Sequence, residues 1–61
     1  MGYTLAQLRV GKHWTQEQAA TAVGVSPASW AKWENKRSSP TQKNVDKILD
    51  AFNVAYDDII F

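Results

Sequence analysis

Apolar positions along this chain recur at helical spacing, in short segments separated by glycine or polar breaks. Val45, Ile48, Leu49 and Phe52 fall at i, i+3, i+4 and i+7, which predicts an amphipathic helix with one face toward a core. Leu5 and Leu8 predict a first helix over about Tyr3 to Val10. Ala19, Ala20 and Val23 mark the inner face of a second, where small side chains let another helix approach closely. Trp30 and Trp33, three apart, mark a third. A short fifth helix is expected over about Tyr56 to Phe61, with Asp57 and Asp58 in its first turn, where the helix dipole favours acids. No run of alternating β-branched residues reads as a strand, and no repeat or linker interrupts the chain. The pattern describes an all-α fold of five short helices.

Boundary residues agree with the periodicity. Thr15 followed by Gln18 forms a capping box at the start of the second helix. Gly24 stands where a left-handed residue ends it. Ser26 caps the third helix with Pro27 at its first position, where a missing amide is harmless. Ser39, Pro40 and Gln42 repeat that device for the fourth, and Asn53 can take the left-handed exit. Trp14, just before the Thr15 cap, is placed to staple onto Ala19 or residues near it.

On a helical wheel, turning both indoles inward leaves Ala28, Ala31, Lys32 and Asn35 facing outward. That face is small, flat and basic. It suits insertion into the DNA major groove, where an alanine methyl can touch a thymine methyl and a lysine can donate to guanine O6 and N7. The same residues also fit a short surface helix built from helix-favouring alanines. A helix, a glycine-containing turn and a second helix form the helix-turn-helix arrangement.

Charge changes the picture through its distribution. Residues 1–43 carry six bases and two acids, residues 44–61 one base and four acids, so a net +1 hides a basic front and an acidic tail. The 61 residues allow one domain, 1–61, with a small core and no deep substrate pocket. There is no cysteine and a single histidine, His13, so no metal site is expected. No spacing of serine, histidine and aspartate assembles a nucleophile with its base, and neither an enzyme activity, a cofactor nor a small-molecule substrate is expected. The longest apolar run, Ile59-Ile60-Phe61, cannot span a membrane, and MGYTLAQLR does not read as a signal peptide. A cytoplasmic protein, nucleoid-associated when bound, is the expectation.

The segment LRVGKHWTQEQAATAVGVSPASWAKWENKRSSP, Leu8 to Pro40, resembles the Cro/C1-type (Xre-like) helix-turn-helix family of phage and bacterial repressors. The matching elements are Leu8-Arg9, Thr15-Gln16, Ala20, Gly24-Val25-Ser26, Trp33-Glu34-Asn35 and Pro40; AFNVAYDDII is similar to the family's closing pattern. The resemblance covers about residues 5 to 60 and implies a compact lambda-repressor-like bundle that regulates transcription by binding double-stranded DNA. It implies base readout by Pro27, Ala28 and Lys32, with Ser29 and Ala31 beside them. Phosphate contacts would come from Thr15 and Gln16 at the start of the second helix, and from Asn35, Lys36 and Arg37 after the recognition helix. Lys43, in the first turn of the fourth helix, is a further phosphate candidate. Arg9 and Glu34 match a structural pair tying the first helix to the third.

One such domain makes too few contacts for tight specific binding, so a homodimer on a near-palindromic operator is expected, with half-sites about 34 Å apart. The acidic C-terminal segment with Ile60 and Phe61 is the candidate self-association surface, with core closure the other role open to Ile60. His13 and Lys36 stand where the family often has glycine, and Ala55 replaces a cap serine. Pro27 offers no donor and Ala28 only a methyl, so direct readout leans on Lys32. A protein-interaction module (adaptor, coactivator or antitoxin) on the same fold, with weak or lost DNA binding, is the alternative.

Overall fold

The computed structural model describes residues 2–61; Met1, the first residue of the expected domain, lies outside them. Four α-helices form: α1 (Leu5–Gly11), α2 (Gln16–Val23), α3 (Pro27–Glu34) and α4 (Gln42–Phe52). The expected fifth helix is instead a single 3-10 turn, Tyr56–Asp58, followed by a two-residue strand, β2 (Ile59–Ile60). β2 pairs in parallel with β1 (Tyr3–Thr4), Tyr3 opposite Ile59 and Thr4 opposite Ile60. The first helix therefore starts two residues later than the hydrophobic spacing suggests. Thr4 is its N-cap, closing a capping box with Gln7 through bonds of 3.2 and 2.8 Å.

The start of α4 also differs from expectation. Its N-cap is Thr41, whose hydroxyl accepts from the Asn44 amide at 3.3 Å, not Ser39. Pro40 does not enter the helix; it is half-buried in the preceding loop and lines a cavity beside Leu5 and Trp33. Two hydroxyls stand two residues apart, and the second is the cap.

Every helix ends on a left-handed residue or one just past its cap: His13 (φ 60°), Gly24 (φ 89°), Lys36 (φ 60°) and Asn53 (φ 54°). The reason is the orphan carbonyls of each last turn. After α1 the amides of His13 and Trp14 reach the carbonyls of Val10 and Arg9 at 2.9 and 3.2 Å. After α3 those of Lys36 and Arg37 reach Trp33 and Lys32 at 3.2 and 2.9 Å. His13 and Lys36 do this with a Cβ, at a cost of about 1–2 kcal/mol each relative to right-handed backbone.

The core joins Leu5, Ala19, Ala20, Val23, Trp30, Trp33, Ile48, Phe52 and Ile59. Ala19 and Ala20 are fully buried, and α2 packs against both α3 and α4. Trp30 stacks on Phe52, centroids 5.9 Å apart, and meets Trp33 edge-on at 6.0 Å. Trp14 rests on Phe52 at 5.5 Å. Ile59 closes the core at 9% exposure, while Ile60 points outward at 49%.

Candidate nucleic-acid interface

The wheel orientation of α3 holds. Trp30 and Trp33 are 0% and 8% exposed, whereas Pro27, Ala28, Lys32 and Asn35 are exposed and Ser29 and Ala31 half-buried. Ala28, Lys32 and Asn35 stand at i, i+4 and i+7, so they share one line along the helix.

The N-terminus of α3 is fixed by Ser26. Its hydroxyl oxygen accepts from the Ser29 amide at 3.2 Å and lies 3.0 Å from the Ser29 hydroxyl. Gly24 supplies the left-handed turn out of α2, its amide and that of Val25 both reaching the Ala20 carbonyl, at 2.8 and 2.9 Å. The turn between α2 and α3 is thereby bonded at both ends.

The carboxylate of Glu34, at the last turn of α3, joins three helices. Arg9 of α1 donates to it through Nε (2.7 Å) and Nη2 (3.3 Å) and through Nη1 to the Trp14 carbonyl (2.9 Å). Gln16, the first residue of α2, donates Nε2 to Glu34 Oε1 at 3.3 Å. The Trp30 indole N–H donates to Glu34 Oε2. Burial alone would raise the Glu34 carboxyl, but the bonds from Arg9, Gln16 and Trp30 and the Arg9 charge outweigh it and hold it below the ordinary value. The expected Arg9–Glu34 pair is thus present, with two further donors that sequence spacing did not reveal. Trp30 and Glu34 do lie four apart on one helix, a spacing that permits the bond.

Of the phosphate candidates, Lys36, Arg37 and Lys43 are exposed, and none of the three forms an ion pair among the described residues. Asn35 is the exposed C-cap of α3. Thr15 and Gln18 form the expected capping box, with bonds of 2.8 and 3.1 Å. Gln16 is half-buried and its side-chain amide is turned to Glu34. Glu34 is withdrawn, its side chain 7% exposed, so the exposed residues from Gln18 to Asn44 include no carboxylate. Among the described residues no group of three histidine, aspartate or glutamate side chains comes together to hold a metal, and no helix is long and apolar enough to cross a membrane.

A family model described as helix-turn-helix matches residues 5–59. The chain is 38% identical over 56 residues to an HTH-type transcriptional activator, BcrR, of Enterococcus faecalis, covering 92% of this chain and 28% of that protein. It is 36% identical over 55 residues to the cryptic phage CTXphi transcriptional repressor RstR of Vibrio cholerae serotype O1, covering 90% of this chain and 49% of RstR. It is 37% identical over 60 residues to the antitoxin PezA of Streptococcus pneumoniae serotype 4, covering 98% of this chain and 38% of PezA. The chain thus spans less than half the length of these curated relatives. No solved structure matches it significantly.

Proposed function

The chain belongs to the helix-turn-helix family, and on that premise we propose that it binds double-stranded DNA sequence-specifically and regulates transcription, as a Cro-like or repressor-like protein of phage or prophage origin. The observation that carries this reading is the outward face of α3. Ala28 and Lys32 stand exposed beside half-buried Ala31, Asn35, Lys36 and Arg37 follow, and the indoles are turned inward. In this reading Pro27, Ala28, Ser29, Ala31 and Lys32 face base edges in the major groove. Thr15, Gln16, Asn35, Lys36, Arg37 and Lys43 hold phosphates, and Arg9 with Glu34 sets α1 and α2 against the recognition helix. The activator and repressor among its relatives support the assignment.

The protein acts as a homodimer on a near-palindromic operator, because one short helix face supplies few contacts. The self-association surface is the C-terminal segment, where Ile60, Phe61, Tyr56 and the adjoining Tyr3 leave apolar surface exposed. Its place of work is the cytoplasm, on the nucleoid when bound, and it has no catalytic role.

Selection of bound duplexes from a random pool, run beside size-exclusion of protein and complex, tests this. A two-fold symmetric motif bound by two copies is expected; recovery of no sequence above the starting pool would overturn it. The second reading, a protein-interaction module, is favoured by the 37% identity to an antitoxin and by the absence of a donor at Pro27 and Ala28. It would leave the pool unenriched while the C-terminal surface still binds a protein.

A further inference from the structure

We propose that Ala28 and Ala31 are specificity-determining residues that read thymine through its 5-methyl group, with Lys32 beside them on the keto oxygens of thymine or guanine. This rests on the DNA-binding reading and adds which base edges the face accepts. It comes from a census of what α3 presents. Adenine N6 and cytosine N4 offer hydrogen-bond donors to the major groove, so reading them requires an acceptor on the protein. The only carboxylate on α3, Glu34, is 7% exposed and accepts from Arg9, Gln16 and Trp30. Ser29 is half-buried and its hydroxyl accepts from that of Ser26 at 3.0 Å, while the Ser26 hydroxyl accepts from the Ser29 amide, so each already holds one partner at the amino end of the helix. Asn35, the outward amide, stands at the C-cap, two turns from Ala28. What remains toward the bases is methyl or methylene surface from Pro27, Ala28 and Ala31, and the three donors of Lys32.

Acceptors for an amino edge thus stand only at the two ends of this face, the Ser26 and Ser29 hydroxyls at one and the Asn35 amide oxygen at the other, and none lies between. The face between them is complementary to the thymine C5 methyl, and to the O4, O6 and N7 acceptors that Lys32 can reach. Ala28 and Lys32 lie on one line and Ala31 next to it, so methyl and keto contacts fall on neighbouring base pairs.

The test replaces thymines of a selected operator half-site by deoxyuridine, one at a time, which removes the methyl and keeps base pairing. Each thymine under α3 is expected to lose about three- to fourfold in affinity, the worth of one buried carbon, and thymines outside the half-site nothing. The loss should vanish with the Ala28→Gly or Ala31→Gly protein at the pyrimidine that each residue touches. Because thymine and uracil duplexes are compared on the same variant, any effect of glycine on folding cancels. Replacing such a T·A pair by 5-methylcytosine·G should bind more tightly than unmethylated C·G. Uracil tolerated at every position, with salt-sensitive specific binding intact, would overturn the methyl assignment and leave the regulator reading standing. No salt-sensitive duplex binding at all would overturn both.

Discussion

Replacing Arg37 by alanine isolates one phosphate contact. The side chain is exposed and takes no part in an ion pair or side-chain hydrogen bond among the described residues, so its removal should leave stability within about 0.5 kcal/mol. Binding should respond differently. Each phosphate neutralised by a cation contributes about −0.9 to the slope of log affinity against log salt. With Lys36, Arg37 and Lys43 free in each of two subunits, the wild-type slope comes to about −5. A rise from about 50 to 200 mM salt should then weaken binding on the order of a thousandfold. Arg37→Ala removes one contact per subunit, so the slope should become shallower by about 2. Lys32→Ala should chiefly narrow the gap between operator and unrelated duplex, by about 1–3 kcal/mol per base-reading contact. Fluorescence anisotropy of a labelled duplex across a salt series measures all three. An Arg37→Ala slope equal to that of wild type, or a wild-type slope near zero, would refute the phosphate assignment.

Backbone strain gives two further expectations. Gly24→Ala places a Cβ with no atom within 4 Å at φ +89°, so the cost is conformational alone, about 1–2 kcal/mol. In thermal denaturation that lowers Tm by about 4–16 °C; an unchanged Tm would contradict the left-handed turn. His13→Gly relieves the same strain at φ 60° and should raise stability by about 0.5–1 kcal/mol, as should Lys36→Gly, though the latter should also weaken DNA binding. Glu34 has its carboxyl held low in the folded state, so its contribution is present above the ordinary glutamate range and lost as pH falls through the lowered value. Urea unfolding at stepped pH should therefore show a shallower acid-side decline in Glu34→Gln than in wild type; identical declines would count against the carboxylate hub.

What could be read beforehand was local. Thr15 with Gln18 and Ser26 with Pro27 are cap patterns decided within four residues, and both form as written. The inward turn of Trp30 and Trp33 followed from spacing alone. The same local logic holds for Thr4 and Gln7, a capping box within four residues that sets the start of α1 two residues past the limit of the apolar spacing. Features that depend on distant partners were invisible. Tyr3 and Thr4 become a strand only because Ile59 and Ile60 arrive beside them. The segment Tyr56–Asp58 is only a 3-10 turn; Ala55 gives it no side-chain cap, Asp58 accepts from the Ala55 amide at 3.1 Å, and the chain then leaves to pair with β1. Thr41, not Ser39, is the cap, and Pro40 stays outside the helix in a loop that lines a cavity with Trp33, a tertiary placement that local spacing does not encode. In the candidate interface, exposure of Ala28, Lys32 and Asn35 is legible from the wheel, but the commitment of Gln16 and the Trp30 indole to Glu34 is not.

The most direct measurement is a ¹⁵N amide titration of the protein with its selected duplex. Shifts should concentrate at Gln16, at Ala28 through Lys32 and at Asn35 through Arg37, with Asp46 and Asp50 on α4 unmoved. Large shifts confined to Tyr3, Tyr56, Ile60 and Phe61, with α3 silent, would mean that the face exposed by the buried indoles is not the one that meets DNA.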